Sequence, residues 1–149
     1  MPTTAVPTTD PGIPPAARED SIEGAQEFVK YFLHRANESW TRPDSSLLAP
    51  LCTAASKTCM ELIGKAREYE AKGLHYDGTP YRETPVIGTN WASGSATVRA
   101  YGGQPQGRVV DRGGATVLTV DASRIALVFE LIRDGTWRVL EIKTEVQPP

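Results

Sequence analysis

Apolar and polar positions follow two different rhythms along this chain, and the change falls near Gly73. Before it, Ile22, Ala25, Phe28, Val29, Phe32, Leu33, Ala36 and Trp40 recur at three- and four-residue intervals, the spacing of one face of an amphipathic helix. Asp20 and Ser21 offer N-caps, Glu23 follows Asp20 as in a capping box, and Arg42-Pro43 ends the run. Asp44 can cap a short second helix through Leu47, Leu48 and Leu51. A third helix carries Cys59, Leu62, Ile63, Ala66 and Tyr69 on one side and stops at Gly73, a residue suited to a helix C-terminus.

Beyond Gly73 the period becomes two, with turn signals about every ten residues, which predicts an antiparallel meander. Strands are expected at about 86–91, 95–101, 107–110 and 115–120, with 76–85 as an ordered loop or short edge strand, since Pro80 and Pro85 each lack a ladder donor. The end of the chain, Arg124 to Val146, reads as one long hairpin around Asp134-Gly135. Setting Arg133 opposite Thr136 places Ile125, Leu127, Phe129 and Leu131 on one face with Leu140 and Ile142. Glu130, Glu141 and Lys143 then lie on the other, as do Ile132, Trp137 and Val139, a partly apolar group suited to a dimer or partner interface. A sheet with one apolar face needs a cover, and the N-terminal helices supply it. The fold class is therefore α+β, with helices packed on one side of a curved antiparallel sheet.

Composition adds a boundary. Met1 to Ala17 holds five prolines and four threonines with only Val6 and Ile13 as sizeable apolar groups, so residues 1–17 read as a disordered, semi-extended tether and 18–149 as a single domain. Such a spacer is expected to follow a removed signal peptide and a lipid-modified cysteine. Sixteen basic and eighteen acidic side chains are interspersed, giving a net charge of −2, so no basic stripe exists to attract nucleic acid. The longest uninterrupted apolar run, 125–129, is far short of the roughly 20 residues of a membrane-spanning helix.

Candidate chemistry is sparse. Cys52 and Cys59 are the two cysteines of the chain. In an oxidising compartment so short a spacing favours a disulfide clamping the junction before the third helix, worth about 2.5 kcal/mol by loop closure. In a reducing one they would remain thiols, one packed beside Leu62 and Ile63. With His34 and His75 alone and no closely spaced ligand pair, no metal site is expected, and no cofactor motif is present. Asn37-Glu38-Ser39 matches a glycosylation triplet but falls inside the first helix. Tyr31, Trp40, Tyr69, Trp91 and Tyr101 are the aromatic side chains best able to line a cavity between helices and sheet.

In this order of elements the chain resembles the cone-shaped α+β family of nuclear transport factor 2 and ketosteroid isomerase. More narrowly, it is similar to an uncharacterised family of bacterial lipoproteins, mostly from high-GC Gram-positive species. The residues carrying that likeness are the Pro/Thr spacer, Pro15-Ala16-Ala17-Arg18, Glu23-Gly24-Ala25 leading to Phe28 and Tyr31-Phe32, the Cys52 and Cys59 pair, Gly107-Arg108-Val109-Val110-Asp111, and Ala126-Leu127-Val128-Phe129 followed by Asp134-Gly135-Thr136-Trp137-Arg138-Val139. The resemblance implies a domain lipid-anchored outside the cytoplasmic membrane and implies no activity. Isomerase-like members place a carboxylate base inside an apolar cone. Here Glu130 and Glu141 alternate onto the opposite face, and Asp111, Asp121 and Asp134 lie in or beside turns.

Two functional expectations follow. One is a non-enzymatic cell-envelope module that binds an envelope protein or a small apolar ligand and can pair with its own copy, touching the membrane only through an upstream anchor. The other is a small isomerase-, cyclase- or dehydratase-like enzyme using Tyr31, Tyr69 or Tyr101 as hydrogen-bond donor and His75 as base.

Overall fold

The computed structural model describes residues 12–146. The expected tether falls mostly outside this range, but its last part does not behave as a spacer. Ile13 is 3% exposed and Ala17 fully buried, and Pro15–Arg18 forms a turn of 3-10 helix, so the packed domain reaches back to Ile13.

Helix α1, Ile22–Thr41, begins where Ser21 Oγ accepts the backbone N–H of Gly24 at 2.9 Å. Its apolar stripe is buried as the spacing predicts, from Ala25 and Phe28 to Leu33 and Ala36. Between Asp44 and Leu51 the expected second helix reduces to turns and a 3-10 segment, Ala49–Leu51. Asp44 Oδ1 accepts both the N–H (2.9 Å) and the hydroxyl (2.6 Å) of Ser46, closing a local turn, and Pro50 has no N–H with which to continue a helix. Helix α2, Lys57–Lys72, starts with Ser56 Oγ accepting Cys59 N at 3.1 Å and ends at Gly73, whose φ of +67° is the left-handed C-cap.

Seven strands follow: β1 (His75–Asp77), β2 (Arg82–Ala92), β3 (Ser95–Gln104), β4 (Gly107–Val110), β5 (Thr116–Val120), β6 (Ser123–Asp134) and β7 (Thr136–Val146). They form two antiparallel sheets, one ordered β2-β3-β6-β7 and a smaller one ordered β1-β4-β5. The β3–β6 ladder runs unbroken from Ser95 opposite Ile132 to Gln104 opposite Ser123. Irregularities in β2 and β7 increase twist and bend the larger sheet around α1. Val98, Ala100, Phe129, Leu131 and Ile142 point inward under the helices, with Phe32 and Phe129 meeting edge to face at 5.4 Å. A second, small cluster of Tyr69, Tyr76 and Val109 lies between the end of α2 and the smaller sheet.

The terminal hairpin forms, in a register one residue away from the expected one. Gly135, at φ +76°, makes the reversal between paired Asp134 and Thr136, so Leu131 stands opposite Val139 and Arg133 opposite Trp137. Every side chain of β7 near the turn is thereby flipped. Trp137 and Val139, expected on the outer face as interface residues, are both completely buried, and neither can present a docking surface. A bulge then leaves Leu140 without a cross-strand partner and 40% exposed, correcting its expected place in the core. Past the bulge the expected parity returns, with Ile142 inward opposite Phe129 and Lys143 outward. Ile132 remains exposed.

Cys52 and Cys59 form a disulfide with Cα atoms 6.2 Å apart. The bonded segment lies against the free edge of β7: Cys52 makes a parallel bridge to Val139, Thr53 N donates to Val139 O at 2.9 Å, and Thr58 Oγ1 donates to Ile142 O at 2.9 Å. Backbone groups of an edge strand are satisfied in this way, and the cross-link holds the covering segment in place.

Candidate functional site

The C-terminal half of α1 does not close completely on the sheet. Phe32, Leu33, Ala36 and Trp40 form the roof of a pocket of about 230 Å³. Its floor is Ile125 and Leu127 of β6 with Ile142 of β7, inward positions set by the sheet's alternation. Thr58 and Leu62 of α2 close one side together with Thr144; Tyr81 and Gln104 close the other.

Tyr81 is fixed by a reciprocal pair of bonds from α1. Asn37 Nδ2 donates to Tyr81 O at 2.8 Å, and Asn37 Oδ1 accepts Tyr81 N at 3.0 Å. The same asparagine belongs to the glycosylation triplet, and these bonds commit its amide to the fold. The Tyr81 hydroxyl donates to Ala100 O at 3.2 Å, over a stretch where Gly102 leaves room for the ring.

Among the described residues, no carboxylate, ammonium, guanidinium or imidazole lines this pocket. Most of its polar atoms are already paired within the protein. Besides Tyr81, the Thr58 hydroxyl serves Ile142 O, and Trp40 Nε1 reaches Leu62 O at 3.4 Å. Such a chamber can exclude water and hold an apolar molecule, and it contains no acid–base pair with which to move a proton.

Ionisable groups gather elsewhere. A more open groove of about 440 Å³ lies at the C-terminal end of α2, where Tyr69, Glu70, Gly73, His75 and Arg112 meet. Burial, with Glu68 and Tyr76 nearby, raises the Tyr69 phenol above its ordinary range, and Glu70 accepts Ser45 N at 3.1 Å. Burial likewise raises Tyr76, whose hydroxyl has no hydrogen-bond partner among the described residues. A third hollow of about 230 Å³ sits beside the β2–β3 turn, with Trp91, Glu130 and Leu140 on its walls. Among the described residues no group of three or more His, Cys, Asp or Glu side chains is placed to hold a metal ion, and no helix is long and apolar enough to cross a membrane.

The five aromatic candidates therefore separate. Trp40 lines the apolar pocket, Tyr69 the groove at the end of α2, and Trp91 the hollow at the turn. Tyr31 is half-buried on α1 and packs against the main core, its hydroxyl accepting Arg35 Nε at 3.1 Å with the guanidinium 5.3 Å from the ring centre. Tyr101 projects from the outer side of β3, opposite Ala126. His75 is in the groove, away from the pocket. Sequence reading overlooked Tyr81, Gln104 and Thr144. For Gln104 the signal was present: Ala96, Val98, Ala100, Gly102 and Gln104 continue one period-two face, but the glycines made the strand look finished at Tyr101.

No family description and no curated protein matches the chain. Solved structures do. The intermembrane-space region of the chloroplast protein ARC6 superposes with a TM-score of 0.65 at 13% identity, over 87% of this chain and 99% of that one. An uncharacterised protein with a cystatin-like fold from Caulobacter vibrioides superposes at 0.53 with 12% identity, covering 81% and 88% of the two chains. A protein from Catenulispora acidiphila in complex with S-DNPA superposes at 0.51 with 10% identity, covering 83% and 93%. At such identities the likeness is one of fold: the chain is an α+β roll of the cystatin-like, nuclear-transport-factor-2-like kind.

Proposed function

We propose that this protein is a non-enzymatic binding module of the bacterial cell envelope that holds a small apolar molecule in the pocket beneath α1. The observation that carries this reading is a pocket of about 230 Å³ whose walls are mostly aliphatic and aromatic and whose lining, among the described residues, includes no charged side chain. A volume below the roughly 300–1,000 Å³ of sites for drug-sized ligands suits a one- or two-ring compound or a short chain. The Catenulispora acidiphila protein, of the same fold, was solved in complex with S-DNPA, which supports ligand binding as a use of this architecture.

Location outside the cytoplasm is supported by the Cys52–Cys59 disulfide, which persists in oxidising compartments. Display from the membrane through a lipid anchor is supported by the Pro/Thr-rich composition of the first residues. The enzyme alternative finds no support in the pocket, since His75 and Tyr69 belong to a different groove and Tyr31 and Tyr101 line neither.

The test is binding of 1-naphthylamine, an uncharged two-ring fluorophore, to the wild type and to Leu127→Trp, which fills the floor. The wild type is expected to enhance and blue-shift the emission and the folded variant to lose that response. Equal response in both would overturn the reading.

A further inference from the structure

Resting on that pocket, we infer that its ligand is uncharged and carries a single carbonyl or hydroxyl oxygen, received by the side-chain amide of Gln104. The register fixes where this residue points. Gln104 ends the inward face of β3 and pairs with Ser123, whose hydroxyl donates to Gln104 Oε1 at 3.2 Å. Its carbonyl oxygen is held by Ser123, and its amide nitrogen, on a residue that lines the pocket, has no hydrogen-bond partner among the described residues.

The other polar groups of the lining leave little choice. Thr58, Tyr81 and Trp40 all direct their donors to backbone carbonyls within the fold. Thr144 stands on the side opposite Gln104, inward on β7 across from Leu127, beyond the apolar floor. Among the described residues an anionic headgroup would meet no cation there, and an ammonium group no carboxylate, so either would lose its hydration without an opposite charge. An uncharged oxygen acceptor meets the Gln104 amide at the edge of an apolar chamber, an arrangement that orients a ligand without requiring it to be charged. Gln104 is thus the residue that separates ketones, esters and alcohols from hydrocarbons of the same shape, and the lack of lining charge among the described residues is what rejects carboxylates and ammonium ions.

The experiment follows amide and methyl NMR shifts of the whole chain titrated with cyclohexanone, methylcyclohexane and cyclohexanecarboxylate at pH 7. Cyclohexanone is expected to bind about fivefold more tightly than methylcyclohexane, the worth of one net hydrogen bond, and cyclohexanecarboxylate at least about tenfold more weakly than cyclohexanone. Gln104→Leu should abolish the ketone preference, bringing cyclohexanone to no tighter binding than methylcyclohexane. Gln104→Lys should instead gain binding of the carboxylate, a result that loss of folding cannot imitate. If cyclohexanecarboxylate binds the wild type as well as cyclohexanone does, or if Gln104→Leu keeps the ketone preference, the inference fails while the pocket reading stands. No shift with any of the three compounds overturns both.

Discussion

Trp137 Nε1 donates to the backbone carbonyl of Glu19 at 2.8 Å, joining the last hairpin to the segment that precedes the first helix. Around this bond Arg133 reaches Arg18 O at 2.7 Å, and Ser93 reaches the Asp20 carboxylate at 3.2 Å. The indole is fully buried. Trp137→Ala is therefore expected to cost about 3–5 kcal/mol in chemical denaturation, as large-to-small changes in a core do, and to leave the oligomeric state in sedimentation unchanged. Trp137→Phe keeps most of the packing and removes one of the two bonds that the Glu19 carbonyl accepts, the other coming from Ser21 N at 3.0 Å, for a loss of about 0.5–1.5 kcal/mol.

Two glycines in the helices should respond to alanine with opposite signs. A Cβ on Gly24 of α1 would intrude on the carbonyl oxygen of Glu19, which is backbone and cannot swing aside, whereas one on Gly64 of α2 meets nothing within 4 Å. Gly64→Ala should stabilise by about 0.5–1 kcal/mol through helix propensity, and Gly24→Ala should destabilise by about 1–3 kcal/mol through overpacking. Thermal melts of the two variants distinguish these signs directly.

Replacing Asn37 by Ala removes both bonds that seat Tyr81. A loss of about 1–3 kcal/mol is expected from removal of the two bonds, together with weaker 1-naphthylamine binding, since one wall of the pocket is loosened. A variant that loses stability yet binds the dye as before would show that Tyr81 does not shape the pocket.

The disulfide holds the segment that covers the β7 edge. Cys52→Ala with Cys59→Ala should lower stability by about 2.5 kcal/mol by the loop-entropy argument. Hydrogen exchange should accelerate first at Thr53 N–H, whose bond to Val139 depends on that segment. Uniform acceleration across the sheet would contradict this local role.

Glu141 lies at the N-terminus of α2. Its carboxylate accepts the N–H of Ile142 at 2.9 Å, and at 3.4 Å the N–H of Thr58 and the hydroxyl of Ser56. These bonds, the one from Ile142 foremost, hold its carboxyl below the ordinary carboxylate range. Because the folded value is the lower one, the contribution to stability is present above the unfolded value and fades as pH falls through the folded value, in the region below about pH 4. Glu141→Gln should be less stable than the wild type at pH 7 and should lose less stability between pH 5 and pH 2, as read by denaturation midpoints.

How far each feature was legible follows from how local its causes are. Ser21, the stripe from Ala25 to Ala36, and the stop at Arg42-Pro43 set α1 within one turn of their own positions, and Ser56 with Gly73 does the same for α2. The strands from Ser95 to Val146 likewise show in their alternation and glycine turns, and the Cys52–Cys59 bond spans only a short stretch of chain. The chain's own order of residues thus determined the α+β layering and which end is helical, because periodicity and capping act between near neighbours.

Tertiary structure decided which way β7 faces near its turn. Burial of Trp137 against Glu19, far away in sequence, together with the bulge at Leu140, selected a register that the Asp134-Gly135 signal alone left one residue off. It also decided the pocket. Phe32, Tyr81, Gln104, Leu127 and Thr144 come from five separate segments, and only the bend of the sheet around α1 brings them to one chamber. No local rule could place that chamber, because it depends on where packing between distant elements stops short of closure.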